Sequence, residues 1–443
     1  MTVVATLKGE PQTVERLYDN GGTLSVPVAE LSAITLVTKQ NSAKTETEKV
    51  AVLLGDGGRM YQAAVQYNQS VSLEFSSGIE LEKPNDFTHV DAESIAAICS
   101  SDSRNGRFCE LNENTTYYVG VEKGKNSSAG IFEYSIDGKL LSTSPIPNQN
   151  AMLEILGVNS ENQHNNRGFE ALTVSPDQSK LIFTTEGNVK SDDVSIRRLV
   201  IYSREEQVAS LYKYSVHQAT AGVSDILALD DLNGELVVIE RYYDNTTKSD
   251  HIELYYFSLL DCNPQFSGCV HVDLANVPTN RSILAESVSE EFGMIPSVES
   301  AEVFSFRNYS AYTDNYEGIC ALDDSGVLGR PNTVILVSDD NEDPSQKTFV
   351  TTLELAYPPA QHFDPGSEGL PDYDYSQFLF FVLISLLIMV LLAFSYCRSK
   401  MVVEAKHDRL HNDDAQPIGI ELSETEESRL QNQHSDRQDL SLI

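Results

Sequence analysis

The chain has 443 residues, of which 41% are hydrophobic, and this length is sufficient to bury a large core. It holds 66 acidic and 31 basic residues, which gives a formal net charge of −35 at pH 7. A surface this acidic disfavours nucleic acids and anionic membranes as partners, and it is compatible with cation binding.

Residues 1–23 are predicted to be a short lead-in, and residues 24–356 contain a strand–turn–strand unit that occurs five times. The first strand of each unit begins with an acid or Ser, followed by a small or polar residue and then an aliphatic residue. The five matches are Ser32-Ala33-Ile34, Glu93-Ser94-Ile95, Glu170-Ala171-Leu172, Ser224-Asp225-Ile226 and Glu317-Gly318-Ile319. The second strand of each unit is rich in β-branched and aromatic residues and ends in an acid, as expected of short strands bounded by turns.

A repeat of roughly 45–60 residues with three or four strands in each unit is typical of a β-propeller. The sequence therefore predicts an all-β domain over residues 24–356, a β-propeller of about six blades within a range of five to seven. Residues 2–7 could supply a strand that closes the last blade, and a further blade could lie between Val270 and Phe306. A pair of large β-sandwiches is the alternative architecture.

Acidic residues recur at strand ends that would meet at the mouth of a propeller's central channel. Those that start or end such strands are Glu93, Glu122, Glu170, Glu186, Glu240, Glu317, Asp339 and Asp340. Converging carboxylates repel one another unless a cation or protonation relieves them, and hard oxygen ligands of this kind suit Ca²⁺. The pattern predicts a Ca²⁺ site at the mouth. The alternative is that these carboxylates pair with Arg residues or backbone N–H groups and tie the blades together.

Three basic residues adjacent to these acids, Lys123, Arg167 and Arg241, are candidates for binding phosphate. Carboxylates that hold a metal and bases that hold phosphate are what metal-assisted phosphoester hydrolysis needs. Catalytic roles are unassigned, and the candidates for them are Glu93, Glu170 and Glu317. The chain has no G-x-S-x-G, H-E-x-x-H, P-loop or G-x-G-x-x-G motif, so no standard catalytic or nucleotide-binding signature is present.

Four of the six cysteines are predicted to form local disulfides in an oxidising compartment, and the pairs are Cys99–Cys109 and Cys262–Cys269. Cys320 lies on a predicted inner strand and is expected to be a buried free thiol. Cys397 ends an apolar segment, where palmitoylation is one alternative and an unmodified thiol is the other.

An uncharged apolar segment begins at Phe378 and ends at Cys397. At about 1.5 Å per residue it matches a bilayer core of roughly 30 Å, so residues 378–397 are predicted to be a single transmembrane helix. Acids precede the segment and bases follow it, which places the N-terminal domain outside and the tail in the cytoplasm, at the plasma membrane or an endomembrane. Six Asn-x-Ser/Thr sequons before the segment agree with this orientation: Asn68, Asn114, Asn126, Asn245, Asn280 and Asn308.

The regions around the predicted span differ in composition from the strand repeats. Residues 357–377 are acidic and rich in Pro and Gly, and they are predicted to be an extended linker. Residues 398–443 are polar and predicted to be disordered, and their end, Ser441-Leu442-Ile443, suits strand addition to a PDZ-type partner. The first residues lack an apolar region adequate for a signal peptide, so we expect the natural N-terminus to precede this sequence. The alternative is a domain that faces the cytosol.

Two motifs resemble those of the phytase-like domain, also called the esterase-like phytase domain. They are Asn166-Arg167-Gly168-Phe169-Glu170-Ala171-Leu172 with Ser175-Pro176-Asp177, and Asp314-Asn315-Tyr316-Glu317-Gly318 with Val337-Ser338-Asp339-Asp340-Asn341. Asp91-Ala92-Glu93-Ser94-Ile95, Val238-Ile239-Glu240-Arg241 and Leu31-Ser32-Ala33-Ile34 fall in the family's order, so the resemblance covers about residues 24–356. The sequence departs from the family pattern at Leu31, Ala33, Ala92 and Ser94. The resemblance implies a β-propeller and phosphoric ester hydrolysis.

Two functional hypotheses follow from the sequence. The first is a cell-surface, Ca²⁺-dependent phosphoric ester hydrolase that acts at the channel mouth on a phosphoester or other anionic ligand. The second is a non-enzymatic cell-surface binding module whose tail recruits cytoplasmic partners.

Overall fold

The computed structural model describes residues 3–358 apart from several gaps, and residues 359–443 lie outside its described part. The gaps are 15–27, 29, 41–45, 56, 68–69, 85–86, 88–89, 100–102, 123–128, 159–167, 232–233, 260–268, 275, 277–280, 310–313, 327–328 and 340–346. The side chains of 281–286 and 308 also lie outside it. No helix in the described ranges is both long and apolar enough to cross a bilayer, and the predicted span 378–397 falls beyond them.

The described residues are dominated by short strands. The first half of the chain contains β1 (Val4–Leu7), β2 (Gln12–Val14), β3 (Leu31–Gln40), β4 (Thr47–Gly55), β5 (Arg59–Tyr67), β6 (Val71–Glu80), β7 (Ala92–Ile98), β8 (Arg104–Asn105), β9 (Phe108–Glu110), β10 (Thr116–Val121), β11 (Gly130–Ser135), β12 (Leu140–Ser142), helix α1 (Gln149–Ile155), β13 (Phe169–Val174), β14 (Lys180–Thr185), β15 (Ile196–Ser203) and β16 (Val208–Ser215). The second half contains β17 (Gly222–Ala228), β18 (Glu235–Asp244), β19 (Ser249–Ser258), β20 (Val270–Asp273), helix α2 (Arg281–Met294), β21 (Ser297–Val298), β22 (Ser300–Ser305), a 3₁₀ turn (Phe306–Asn308), β23 (Asn315–Ala321), β24 (Thr333–Asp339) and β25 (Thr348–Ala356).

These strands form five sheets, and each sheet is one blade of a β-propeller. The pairs within the blades are antiparallel, and the short strands β9 and β21 add to β3 and β16 in parallel. In chain order the blades have the inner-to-outer sequences β3-β4-β5-β6, β7-β10-β11-β12, β13-β14-β15-β16, β17-β18-β19-β22 and β23-β24-β25-β1. The inner strands of consecutive blades contact one another, and β23 of blade 5 contacts β3 of blade 1. This cyclic order closes the ring.

Hydrophobic patterning distinguishes inner from outer strands. The inner strand β7 is buried at every residue, because both of its faces lie against other parts of the propeller. The outer strand β6 begins with alternating buried and exposed residues, as expected when one face meets solvent. The core consists of five clusters of apolar side chains, and each cluster lies between two neighbouring blades.

The structure has five blades, which lies within the predicted range of five to seven and is one fewer than the number favoured from the sequence. The stretch expected to hold a further blade is shared between existing ones. Within it, β20 pairs with β16 of blade 3, α2 follows, and β22 pairs with β19 of blade 4. The long spacing in the sequence therefore reflects an insertion between the third and fourth strands of blade 4.

The inner strands of all five blades surround the central axis and line a cavity of about 60 Å³ there. One end is covered by the short hairpin β8–β9, which the disulfide Cys99–Cys109 closes at its base. From this hairpin, Arg107 extends to the axis and donates hydrogen bonds to the carbonyl oxygens of Ala228 (2.7 Å) and Leu229 (3.3 Å). The acidic site described below lies at the opposite ends of these inner strands.

Candidate functional site at the acidic mouth of the channel

Each inner strand begins with a β-bulge, where one residue is skipped in the pairing with the next strand of the blade. The skipped residues are Ser32, Glu93, Glu170, Ser224 and Glu317. A bulge bends its strand and re-aims the side chain of the extra residue. These residues are the acid-or-Ser positions of the sequence repeat, so the repeat marks five equivalent bulges at the channel mouth.

The two serines of this set tie adjacent blades together. Ser32 Oγ donates to the carbonyl oxygen of Ala92 at 2.7 Å, and Ser224 Oγ donates to that of Tyr316 at 2.9 Å. Each acceptor immediately precedes a bulged glutamate of the next blade. Both serines are fully buried, so these bonds satisfy polar groups that water does not reach.

Arg241, at the mouth end of β18, is the cation around which the glutamates gather. It donates to Glu317 and Asn315, and its other terminal nitrogen lies 3.5 Å from Glu186 Oε1. Burial lowers the pKa of Arg241, but the fields of Glu317, Glu186, Glu170 and Glu93 outweigh burial and raise it. Four blades therefore contribute to a single charge cluster, since these residues come from blades 2, 3, 4 and 5.

This environment strongly raises the pKa values of two of the bulged glutamates, Glu170 and Glu317. Burial raises the pKa of Glu170 well above its ordinary value, and the neighbouring charge of Glu186 adds to the effect. Burial also raises the pKa of Glu317 to about 7, although Arg241 opposes the shift. Both carboxyls thus exchange protons far above the pH at which an exposed glutamate does.

A second group of carboxylates lies beside this cluster, on blade 2. One oxygen from each of Asp91, Glu93 and Glu122 lies within 4.8 Å of the others. Burial raises the pKa of Glu122 to about 7; the backbone N–H of Gly168, which donates to Glu122 Oε1, lowers it, and Asp91 raises it further. Three oxygen donors at this spacing form a candidate divalent-metal site.

The structure brings most of the predicted acidic residues together. The predicted acids found at the mouth are Glu93, Glu122, Glu170, Glu186, Glu317 and Asp339. The charge of Asp339 raises the pKa of Glu317. Glu240 is placed elsewhere, between blades 3 and 4, because its side chain leaves β18 on the face opposite to Arg241. Asp340, Lys123 and Arg167 lie outside the described residues. Asp91 was missed, although it precedes the bulged Glu93 by two residues.

The predicted disulfide Cys99–Cys109 is confirmed, and Cys320 is a buried free thiol as expected. For the second pair, Cys262 lies outside the described residues, and Cys269 is buried with its sulfur 3.7 Å from His271 Nε2.

Two of the predicted glycosylation sites, Asn114 and Asn245, lie in exposed turns, and their modification stays a prediction. Asn68, Asn126 and Asn280 fall outside the described residues, and Asn308 is described by its backbone alone. The tail motif Ser441, Leu442 and Ile443 lies outside as well.

Comparison with known proteins gives one family and weak structural similarities. The family described as "Phytase-like: Esterase-like activity of phytase" matches residues 27–342. No curated protein sequence is significantly similar to the chain. A variant of the Synechocystis apocarotenoid oxygenase (ACO) is 12% identical with a TM-score of 0.31, covering 67% of this chain and 53% of that one. The WD40 domain of SCAP from fission yeast is 11% identical with a TM-score of 0.24, covering 72% and 64%.

The chain spans about half the length of that oxygenase, and TM-scores of this size carry no argument about fold or function. The family match is different in kind, because it extends over most of the propeller and includes all five bulged motifs. Of the residues that suggested a resemblance in the sequence, Asp91, Glu93, Glu170, Glu317 and Asp339 lie at the acidic mouth. The chain belongs to the phytase-like family.

Proposed function

We propose that the acidic mouth binds a divalent cation, Ca²⁺ by the chemistry of its donors, and that this site hydrolyses phosphoric esters. The observation that carries the proposal is the spacing of the oxygens of Asp91, Glu93 and Glu122, which lie within 4.8 Å of one another. Two oxygens that are each about 2.4 Å from one Ca²⁺ can be at most about 4.8 Å apart. Hard carboxylate donors at this spacing fit Ca²⁺, and membership of the phytase-like family supports the phosphoester chemistry.

Charge balance supports a bound cation. Seven acidic residues of the described part interact electrostatically at the mouth. Five of them interact with Arg241, and these are Glu93, Glu122, Glu170, Glu186 and Glu317; Asp91 acts on Glu122, and Asp339 acts on Glu317. Among the described residues, Arg241 carries one positive charge against these seven carboxylates. Burial is the larger cause of the raised pKa values of Glu122, Glu170 and Glu317, and repulsion between neighbouring carboxylates adds to it. A divalent cation would relieve the same repulsion without protons.

In this proposal the residues at the mouth have three roles: metal binding, proton transfer and positioning. Asp91, Glu93 and Glu122 would hold the cation, which would supply Lewis-acid polarisation of a phosphoryl oxygen. Glu317, with a pKa of about 7, is suited to hold the proton that a leaving oxygen requires at neutral pH. Arg241 holds the Glu317 carboxyl in place through its ion pair.

The experiment uses the full chain purified in detergent. Ca²⁺ binding is measured by calorimetry, and phosphate release is measured from phytate and p-nitrophenyl phosphate with and without chelator. Wild type is expected to bind Ca²⁺ and to lose activity on chelation, and Glu122→Gln is expected to lose both properties. The matched control is Glu354→Gln, which alters an exposed carboxylate paired with Lys8 on blade 5 and should change neither. A folded wild type that binds no Ca²⁺ would contradict the proposal.

A second candidate function, a non-enzymatic binding module, is favoured by the contacts of Arg241. The N–H groups of Arg241 face Glu317, Asn315 and Glu186, so this residue serves as an internal counter-ion. The sequence had suggested instead that it binds phosphate. Ca²⁺ binding without phosphate release from any ester tested would support this candidate over the hydrolase.

The proposal includes a membrane location, which rests on the sequence. A single-pass anchor at residues 378–397 would place the propeller outside the cell or in an organelle lumen, and the tail in the cytoplasm. The tail residues Ser441, Leu442 and Ile443 would recruit a PDZ-type partner. Loss of intracellular partners from a pull-down on removal of these three residues is the expected result.

A further inference from the structure

A separate polar cluster lies between blades 3 and 4 and contains a serine, a histidine and a glutamate in series. His217 Nδ1 lies 3.0 Å from Glu240 Oε1, and His217 Nε2 lies 3.5 Å from Ser300 Oγ. We infer that Ser300, His217 and Glu240 form a nucleophile–base–carboxylate triad that cleaves small carboxylic esters, independently of the acidic mouth. A triad is recognised by geometry and roles, whatever the order of its members in the chain.

The hydrogen bonds settle which nitrogen of His217 can act as the base. A glutamate carboxylate accepts hydrogen bonds and does not donate them, so Nδ1 carries the proton in its bond to Glu240. In the neutral ring the lone pair then lies on Nε2, which faces the hydroxyl of Ser300. The same hydroxyl also hydrogen-bonds to the Tyr214 side chain. A distance of 3.5 Å to His217 is long for a hydrogen bond, but catalytic contacts of this kind often shorten only when substrate binds.

The members of the triad are held by their surroundings. Glu240 is almost completely buried and also accepts hydrogen bonds from the Tyr214 hydroxyl and from the backbone N–H of His217. The His217 ring stacks on Tyr255, with centroids 3.5 Å apart and planes inclined by 4°. These contacts fix the position and the plane of the imidazole.

The nucleophile is anchored between two sheets and stays accessible. Ser300 is the first residue of β22, where it pairs with Phe257 of blade 4, and β21 immediately before it pairs with β16 of blade 3. Ser300 is half-buried, and the side chain of His217 is 34% exposed. Both reacting side chains are therefore within reach of a substrate from solvent.

The chemical steps balance with water as the only co-reactant. Ser300 Oγ attacks the ester carbonyl carbon while its proton moves to His217 Nε2. The C–O bond to the alcohol breaks, and the alcohol leaves with that proton, which gives an acyl-serine. Water then attacks the acyl carbon, its proton passes through His217 to Ser300 Oγ, and the carboxylic acid is released.

The chain offers a matched control. Ser210 Oγ lies 2.9 Å from His271 Nδ1, which is closer than the contact of Ser300. The other ring nitrogen of His271 faces the sulfur of Cys269 at 3.7 Å. Of the histidines that the structure describes, His217 alone hydrogen-bonds to a carboxylate through its ring. If the carboxylate is what activates the pair, Ser300 reacts and Ser210 does not.

The first test labels the full chain with a fluorophosphonate probe and identifies the labelled residue by peptide mapping. The second measures hydrolysis of p-nitrophenyl acetate in the presence of chelator. The label is expected on Ser300, and it is expected to vanish in Ser300→Ala and persist in Ser210→Ala. His217→Gln is expected to slow labelling by about 10²-fold or more, the usual contribution of a general base. Ester hydrolysis is expected to survive chelation, which separates this site from the metal site.

Peptide mapping of wild type decides the matter even if a variant fails to fold. A folded wild-type protein with no label on Ser300 would overturn the inference. Equal labelling rates in wild type and folded His217→Gln would overturn it too, because Ser300 would then react without a base.

Discussion

The carboxyl of Glu122 is subject to two opposing influences. Burial and the charges of Asp91 and Glu186 favour its protonated form, whereas the N–H of Gly168 favours the ionised form. The balance raises its pKa to about 7, so a proton and a metal ion compete for this residue near neutral pH. The same competition extends to Glu317, whose pKa is also raised to about 7.

We expect stabilisation by Ca²⁺ to increase between pH 6 and pH 8. When folding raises the pKa of a carboxyl, that carboxyl stabilises the folded state fully at a pH below its unfolded-state pKa. This stabilisation is lost as the pH rises through the pKa of the folded state. For Glu122 and Glu317 this loss extends from about 4.5 to about 7. The apo protein should therefore melt at lower temperature at pH 8 than at pH 6, and Ca²⁺ should restore more of the loss at pH 8.

The measurement is the melting temperature at pH 6, 7 and 8 in chelator and in excess Ca²⁺. The Glu122→Gln variant serves as the control, because it lacks a metal-binding carboxylate at this position and should show no Ca²⁺-induced shift at any of the three pH values. A Ca²⁺-induced shift of equal size at all three pH values would argue against carboxylates as the ligands.

Among the elements, the five inner strands share one local device. Each has a bulge in which a Ser or Glu is the extra residue, and these residues either donate to the next blade or enter the charge cluster. Gly318 shows how closely the blades approach there, since a Cβ at this position would lie 2.7 Å from Val337 and 3.0 Å from the backbone nitrogen of Ile34. The glycine at position 318 thus has a packing reason.

The hairpin β8–β9 is an element whose stability depends on its disulfide. The bond Cys99–Cys109 closes a loop with a sequence separation of 10, and restricting a loop of this length in the unfolded chain is worth about 2–3 kcal/mol. We expect the double variant Cys99→Ala, Cys109→Ala to lose about this free energy of unfolding, measured by urea denaturation. Arg107 should also become more exposed, because the hairpin holds it in the channel.

Reductant provides the control for this prediction. It should lower the stability of wild type by more than that of the double variant, since the variant has no bond to reduce at this position. If reduction affects both proteins equally, the bond does not support the hairpin in solution.

At the scale of the whole molecule, the ring is closed by residues from both ends of the propeller. Strand β1 pairs with β25, in a register that joins Val4 to Ala356 and Leu7 to Leu353. Ala5 is 6% exposed and contributes to the apolar cluster between blades 4 and 5, whereas Val4 is 51% exposed. The closure thus combines backbone hydrogen bonds with side-chain burial on one face only.

We expect Ala5→Asp to destabilise the propeller by about 3 kcal/mol or more, because it places a charge in an apolar interface without a partner. Val4→Asp, one residue away on the exposed face, should change stability by about 0.5 kcal/mol at most. Thermal and urea unfolding of the two variants make the comparison. Equal effects would mean that β1 does not close the ring in solution.

The sequence by itself determined the kind of fold and most of the acidic site. Strand-sized apolar runs bounded by turns predict an all-β repeat, and the bulge positions recur as an acid or Ser because the backbone requirement there is local. Glu93, Glu170 and Glu317 were identifiable for this reason. Their neighbours Glu122, Glu186 and Asp339 were identifiable because they end the adjacent strands.

Tertiary structure decided what depends on residues far apart in the chain. The number of blades follows from whether residues between Val270 and Phe306 pair with one another or with existing sheets, and local propensity is the same in both cases. Glu240 and Arg241 are adjacent in sequence, but the two faces of β18 send one to His217 and the other to the acidic mouth. Ser300, His217 and Glu240 lie on three separate segments, so no spacing in the sequence marks them. Only the closed ring brings such groups together, because blade contacts join residues that the chain itself keeps apart.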